Sequence, residues 1–335
     1  MSAQRQRIWV TQPVFPDIVA RLARDFDVVQ ANEITRYSGA QLAAGLRDVD
    51  GALVGITDRI DGAAIAGATR LKAVANVGVG YDNLDIAALT AAGIVATNTP
   101  DVLTETTADF AWALLLAAAR RVTEAERWLR DGQWKDWSFE RLLGCDVHGS
   151  TLGILGMGRI GCAVARRARG FGMQVLYHNR SRLPEALERE CAARYVSKDE
   201  LLAASDHLVL SLPYGAASRH AIGAAELARM KASATLVNIA RGGVVDDAAL
   251  ADALSHGRLA AAGLDVYENE PALHPALLAC RNIVLAPHIA SASTATRRAM
   301  VALAVDNLAA ALGVGERAGQ APNMINADAL LARGR

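Results

Sequence analysis

Short runs of apolar, β-branched residues alternate with amphipathic, Ala- and Leu-rich segments along almost the whole chain. Residues 8–10, 27–29, 51–54 and 72–76 have the composition of strands, and 16–25, 39–46 and 63–68 that of the helices between them. A second series starts at 151–155 and continues through 175–177, 207–210, 236–239, 261–264 and 283–286. Parallel strands need a crossover to reach one another, so strand–helix alternation of this kind predicts parallel sheets covered on both faces. Six strands in one series fit a doubly wound, dinucleotide-binding arrangement. Between the two series, 105–131 reads as one long helix after the turn signal Asn98-Thr99-Pro100-Asp101, and 293–312 reads as another beyond the last strand. The expectation is an α/β chain of two doubly wound parallel-sheet domains: 1–100 with 291–335, discontinuous, and 101–290. A ligand is expected in a cleft between them.

Composition narrows what such a chain does. Its 335 residues carry 35 Lys+Arg against 35 Asp+Glu, which leaves no net basic footprint for nucleic acid or an anionic membrane. The N-terminus has no apolar signal region, and the most apolar helical run, 110–119, is well short of the ~20 residues that span a bilayer. Cys145, Cys162, Cys191 and Cys280 form no metal-binding spacing and read as buried thiols of a reducing compartment, so a cytoplasmic protein without a metal is expected.

Two places carry chemistry. Gly156-Met157-Gly158-Arg159-Ile160-Gly161 follows a strand and opens a helix. Gly156 permits the tight turn, Gly158 lets the backbone approach a pyrophosphate, and Gly161 lets helix and strand pack closely. The helix start adds N–H donors and positive dipole. At the end of the next strand an NAD site normally has a carboxylate for the ribose hydroxyl. Here the chain reads His178-Asn179-Arg180-Ser181-Arg182. Guanidinium and hydroxyl groups suit a 2′-phosphate, so NADPH is the expected cofactor, with NADH possible; the alternative is that the arginines only solubilise the loop.

The second place is a set of polar residues just past three strands of the second series: Arg241, Glu270 and His288. Strand carboxyl ends face the ligand crevice in an open α/β sheet, so the three are expected to converge. His288 can donate a proton, Glu270 can hold the ring and favour its charged form, and Arg241 can bind a carboxylate and polarise a carbonyl. Singly, each has a structural explanation as well: a satisfied histidine, a turn before Pro271, and a loop closed by Gly242-Gly243.

In these segments the chain resembles the D-isomer-specific 2-hydroxyacid dehydrogenases. The matching stretches are 151–161 (TLGILGMGRIG), 237–246 (VNIARGGVVD), 261–271 (AAGLDVYENEP) and 287–292 (PHIASA), with 76–85 (NVGVGYDNLD) and 98–109 (NTPDVLTETTAD). Within the family the resemblance is to the glyoxylate/hydroxypyruvate reductase and 2-ketogluconate reductase branch. It implies a Rossmann cofactor domain and a flavodoxin-like substrate domain. Arg241, Glu270 and His288 would be the catalytic trio. The Val77 and Gly78 N–H groups would bind the substrate carboxylate, with Ser291 nearby. Cofactor contacts are implied at Gly158, Arg159, Ile160, Arg180, Ser181, Ser211, Ile239 and Asp265, a set to which Gly156, Gly161 and Asn179 of the loops above are added. A homodimer is implied too, with Trp137 either reaching the partner's site or packing in the interface. Ala290 stands where many relatives have glycine, and His178 takes the usual acidic position. Two other functions stay open at this point: NAD-dependent oxidation of a D-2-hydroxy acid, and a dinucleotide-sensing, corepressor-like interaction protein.

Overall fold

The computed structural model describes residues 5–332, which form two compact units, 5–103 with 293–332 and Thr104–Ala292. The first unit contains β1 (Arg7–Val10), α1 (Pro16–Leu22), β2 (Asp27–Gln30), α2 (Gly39–Leu46), β3 (Gly51–Val54), α3 (Gly62–Ile65), β4 (Ala73–Asn76), α4 (Ile86–Ala91) and β5 (Val95–Thr97). Its five strands lie in the order β2-β1-β3-β4-β5, all parallel. That is the flavodoxin-like order.

Alternation along its strands fills two layers. Ala52, Val54 and Val74 face Leu42 and Leu46 of α2, whereas Leu53, Ala73 and Ala75 face the other way. That second face is closed by a helix from the far end of the chain.

The second unit runs through α5 (Thr104–Ala119), α6 (Val122–Arg130), β6 (Thr151–Leu155), α7 (Arg159–Ala168), β7 (Gln174–His178), α8 (Glu185–Cys191), β8 (Ala193–Tyr195), α9 (Lys198–Ala204), β9 (His207–Leu210), α10 (Ala224–Leu227), β10 (Thr235–Asn238), α11 (Asp247–Ser255), β11 (Ala261–Leu264), α12 (Pro275–Ala279) and β12 (Ile283–Leu285). The chain then returns to the first unit with α13 (Thr294–Ala311) and α14 (Ala327–Leu331). There Val301, Val305 and Leu308 of α13 complete the core against Ile8 and Leu53.

The larger sheet is parallel, in the order β12-β11-β10-β9-β6-β7-β8. This is the doubly wound dinucleotide order with one further strand, and it reverses between β6 and β9. Leu208, Leu210, Leu236 and Leu264 point into one layer; Ile154, Val209 and Val237 point into the other.

Three details differ from the sequence expectation. Strands β5 and β8 have three residues each, too short to show a period, so the sheets have five and seven strands rather than four and six. The helix expected over 105–131 breaks at Arg121, which adopts φ +53° while its guanidinium grips Glu124 at 2.8 and 2.9 Å. Of the cysteines, only Cys162 and Cys191 are buried; Cys145 and Cys280 are half-buried. Among the described residues, no helix is long and apolar enough to cross a membrane, and no cluster of His, Cys, Asp and Glu is arranged to hold a metal ion.

Candidate active site

The carboxyl edge of the larger sheet carries both chemical loops. β6 ends at Leu155, and Gly156 turns the chain at φ +92°. A Cβ there would lie 2.5 Å from the Leu212 backbone, so only glycine fits. Beside Gly158 nothing lies within 4 Å of where a Cβ would be, which leaves the backbone open to a ligand. No side chain caps α7, and among the described residues the N–H groups of Ile160 and Gly161 in its first turn have no protein acceptor. Gly161 sits against the Gly156 carbonyl and Ser211 Oγ, each 3.1 Å from its Cβ position.

Two side chains hold this loop in shape. Asn179 accepts from Met157 N at 2.6 Å and donates to Met157 O at 3.0 Å, and Ser211 Oγ donates to Gly156 O at 2.8 Å. A cavity of about 650 Å³ adjoins the loop, within the size range of small-ligand sites. Gly156, Gly158, Asn179, Arg180, Ser181 and Ser211 line it, and none of the described residues lining it is Asp or Glu.

The two arginines of the loop are used differently. Arg182 is committed to Glu188 by two hydrogen bonds of 2.9 and 2.8 Å, so the expectation that it also serves a 2′-phosphate is corrected. Glu188 accepts from Tyr177 Oη as well, at 2.6 Å, and Arg182 and Tyr177 together hold its carboxyl down at about 2. Arg180 lines the cavity, and among the described residues no carboxylate pairs with it. The open cradle at Gly158, the start of α7 without a side-chain cap and the cavity lined by no described Asp or Glu fit a dinucleotide.

The catalytic candidates come from three adjacent strands. Beyond β10, Asn238 clamps a turn by accepting from Ala240 N at 3.0 Å and donating to Arg241 O at 3.2 Å. Ile239 is buried in that turn. Gly242 follows, and a Cβ there would fall 1.6 Å from the Tyr267 carbonyl. The close approach brings the Arg241 turn against the loop that follows β11.

Within that second loop, Glu270 accepts from Tyr267 N at 2.9 Å through one oxygen and contacts His288 Nδ1 at 2.8 Å through the other. Burial pushes the Glu270 carboxyl up, but His288, Tyr267 N and Arg241 outweigh it, and the carboxyl stays below its ordinary value. An ionised carboxylate at Nδ1 makes that nitrogen the donor and leaves Nε2 for other work.

His288 itself has φ +55°, a left-handed conformation that costs a non-glycine residue about 1–2 kcal/mol. Asp265, buried at the end of β11, offsets that cost. Its carbonyl accepts from His288 N at 2.9 Å, and its carboxylate accepts from Ile289 N at 2.7 Å and Ala290 N at 2.8 Å. Asp265, expected as a cofactor contact, thus braces the His288 loop. The Ala290 methyl is tolerated because, unlike His288, Ala290 has no positive φ. Ser291 is half-buried just beyond and makes no hydrogen bond among the described residues.

In the first unit one expectation fails. Val77 N donates to Val54 O at 2.9 Å and Gly78 N to Asn76 O at 3.0 Å, so neither is open to a carboxylate. Unspent donors come two residues later: among the described residues the Val79 and Gly80 N–H groups have no protein acceptor. Their carbonyls are anchored, Val79 O by Asn98 Nδ2 at 2.7 Å and Gly80 O by Asn76 Nδ2 at 2.8 Å. The repeat Val-Gly-Val-Gly made the two registers indistinguishable in sequence.

Trp137 is 69% exposed and stacks edge-on against Phe139, itself 84% exposed. Sequence reasoning also missed Asn238, and it missed Lys198 and Tyr214, which line the cavity beside the glycine loop. No motif signals them.

With this geometry in view, comparison with known proteins is informative. Residues 112–290 match the D-isomer specific 2-hydroxyacid dehydrogenase, NAD binding domain. The chain is 47% identical over 310 residues to the glyoxylate reductase of Thermococcus kodakarensis, covering 91% of this chain and 93% of that one. To the glyoxylate reductase of Aeropyrum pernix it is 45% identical over 336 residues, 98% of each. Among solved structures, the NADPH-dependent glyoxylate/hydroxypyruvate reductase of Sinorhizobium meliloti, in complex with NADP and malonate, superposes with a TM-score of 0.81 at 38% identity, covering 96% and 97%. The chain belongs to the D-isomer specific 2-hydroxyacid dehydrogenase family. It is accordingly an oxidoreductase with a nicotinamide-dinucleotide-binding domain.

Proposed function

We propose that the protein reduces a small 2-keto acid (glyoxylate, hydroxypyruvate or 2-ketogluconate) to the D-2-hydroxy acid with NADPH. The observation that carries this is the 2.8 Å His288–Glu270 pair on neighbouring strand ends, with Arg241 close enough to stabilise the Glu270 carboxylate. When bound, the reduced nicotinamide supplies a hydride to the keto carbon. His288 then gives its Nε2 proton to the carbonyl oxygen, breaking N–H as O–H forms, while Glu270 keeps Nδ1 protonated and the ring oriented. Arg241 takes the substrate carboxylate and stabilises the charge growing on the oxygen. Within the first unit taken by itself, the Val79 and Gly80 N–H groups are donors suited to an anion. Preference for NADPH is supported by Arg180 and Ser181 in a cavity without carboxylates, and by the NADP-bound relative.

The exposed apolar surface supports a homodimer as part of this reading. Val122, Leu129, Trp134, Trp137, Phe139 and Leu143 are all exposed on one segment, an apolar concentration that monomers rarely leave in water. This face is assigned to a second copy, with Trp137 in the contact.

The direct test is substitution. His288→Ala should lose about 10²–10⁴ in kcat while NADPH still quenches protein fluorescence with unchanged affinity. Arg241→Ala should raise KM and lower kcat together, because one group serves ground and transition states. Wild-type turnover in His288→Ala would overturn the proton-donor role.

A further inference from the structure

We infer that Lys198 is a second cation for the 2′-phosphate, working beside Arg180, and that Glu226 tunes it. The inference rests on the NADPH reading above and deepens it. A 2′-phosphate is dianionic near neutral pH, and the Arg182 charge is already paired with Glu188, which accepts from its Nε and Nη2. Arg180 and Lys198 are the Arg and Lys residues lining the cavity.

Two hydrogen bonds fasten the segment leading to Lys198 against the Arg180 loop. His178 Nδ1 lies 2.8 Å from Val196 O, a carbonyl that can only accept, so Nδ1 carries the proton and donates. Tyr195 Oη donates to Asn179 O at 3.2 Å. Residues 195 and 196, just before Lys198, are therefore bonded to 179 and 178, next to the position of Arg180 and Ser181.

Lys198 is not idle. Its ammonium lies 3.1 Å from Glu226 Oε1, while Glu226 Oε2 accepts from Gly223 N at 3.1 Å. Burial works against the Glu226 charge, but Lys198 and the Gly223 N–H outweigh it and hold the carboxyl below its ordinary value. Lys198 is about one-third exposed, and its flexible stem can reach a phosphate without breaking α9. Glu226 shares that charge in the free protein. A dianion bound in the cavity draws it away, and the strength of the Glu226 partnership sets part of the cofactor preference.

Calorimetric titration of the whole protein with 2′,5′-ADP and with 5′-AMP tests this without turnover. Wild type should bind 2′,5′-ADP more tightly than 5′-AMP. Lys198→Met should weaken 2′,5′-ADP about tenfold and 5′-AMP less than about twofold, as one charge-assisted contact is lost. Glu226→Gln keeps an acceptor for Gly223 N but removes the competing charge, and should tighten 2′,5′-ADP about two- to fivefold. Unfolding midpoints confirm that both variants are folded. If wild type fails to favour 2′,5′-ADP, the NADPH reading falls and this inference with it. If wild type discriminates but Lys198→Met discriminates equally, the Lys198 assignment alone is overturned. Equal weakening of both ligands also overturns it, placing Lys198 on the 5′-phosphate or in the scaffold.

Discussion

Asp265→Ala separates a brace from a ligand contact. The substitution removes the acceptors of the Ile289 and Ala290 N–H groups, at 2.7 and 2.8 Å, in a loop where His288 holds φ +55°. A buried N–H left without a partner costs ~1–3 kcal/mol; the Ala290 N–H is buried and the Ile289 N–H part-buried, so the two together cost at most ~2–6 kcal/mol. Part of this is returned, since burial already holds the Asp265 carboxyl above its ordinary range despite the two N–H donors. A net loss of ~2–4 kcal/mol is the result. It acts where the left-handed histidine has least to spare. Amide exchange at Ile289 and Ala290 in the protein without cofactor should therefore accelerate by roughly 30- to 1,000-fold. The urea midpoint should fall, and kcat should drop because His288 loses its orientation. If exchange at those two amides is unchanged while NADPH affinity collapses, Asp265 acts on the cofactor and the bracing role is refuted.

Three further outcomes follow from named contacts. Arg180→Ala should weaken NADPH about 10- to 100-fold and NADH hardly at all, measured as the ratio of the two kcat/KM values; equal losses would remove Arg180 from the 2′-phosphate. Glu188→Gln should be less stable than wild type at neutral pH. Because the Glu188 carboxyl is depressed from 4.5 to about 2, its contribution is present above 4.5 and lost as pH falls toward 2, so the difference in urea midpoint should shrink across that window. Gly242→Ala should lower both kcat and the melting temperature, since its methyl would sit 1.6 Å from the Tyr267 carbonyl and push the Arg241 turn off the Glu270 loop; wild-type kinetics would contradict that packing.

Much of this was legible in the sequence, for physical reasons that differ by element. Strands such as β6, β9 and β10 are buried on both faces and read as short, mainly apolar runs, and the glycine loop declares itself by its spacing. Arg241, Glu270 and His288 each follow a strand, and chain topology does the rest. What stayed hidden depends on contacts distant in sequence or on register. Arg182 resembles Arg180 until Glu188 is seen beside it. The open N–H groups at Val79 and Gly80 are shifted by two from the expected pair, within a repeat that cannot fix its own register. The brace at Asp265 and the clamp at Asn238 are visible only once the loops are folded against them.

The most direct measurement is the initial rate of NADPH and of NADH oxidation by the purified protein, with glyoxylate, hydroxypyruvate and 2-ketogluconate in parallel. An NADPH rate with at least one of these acids, exceeding the NADH rate at equal concentration, is the predicted result. No oxidation of either cofactor with any of the three, in a protein that still binds 2′,5′-ADP, would contradict the proposed reductase.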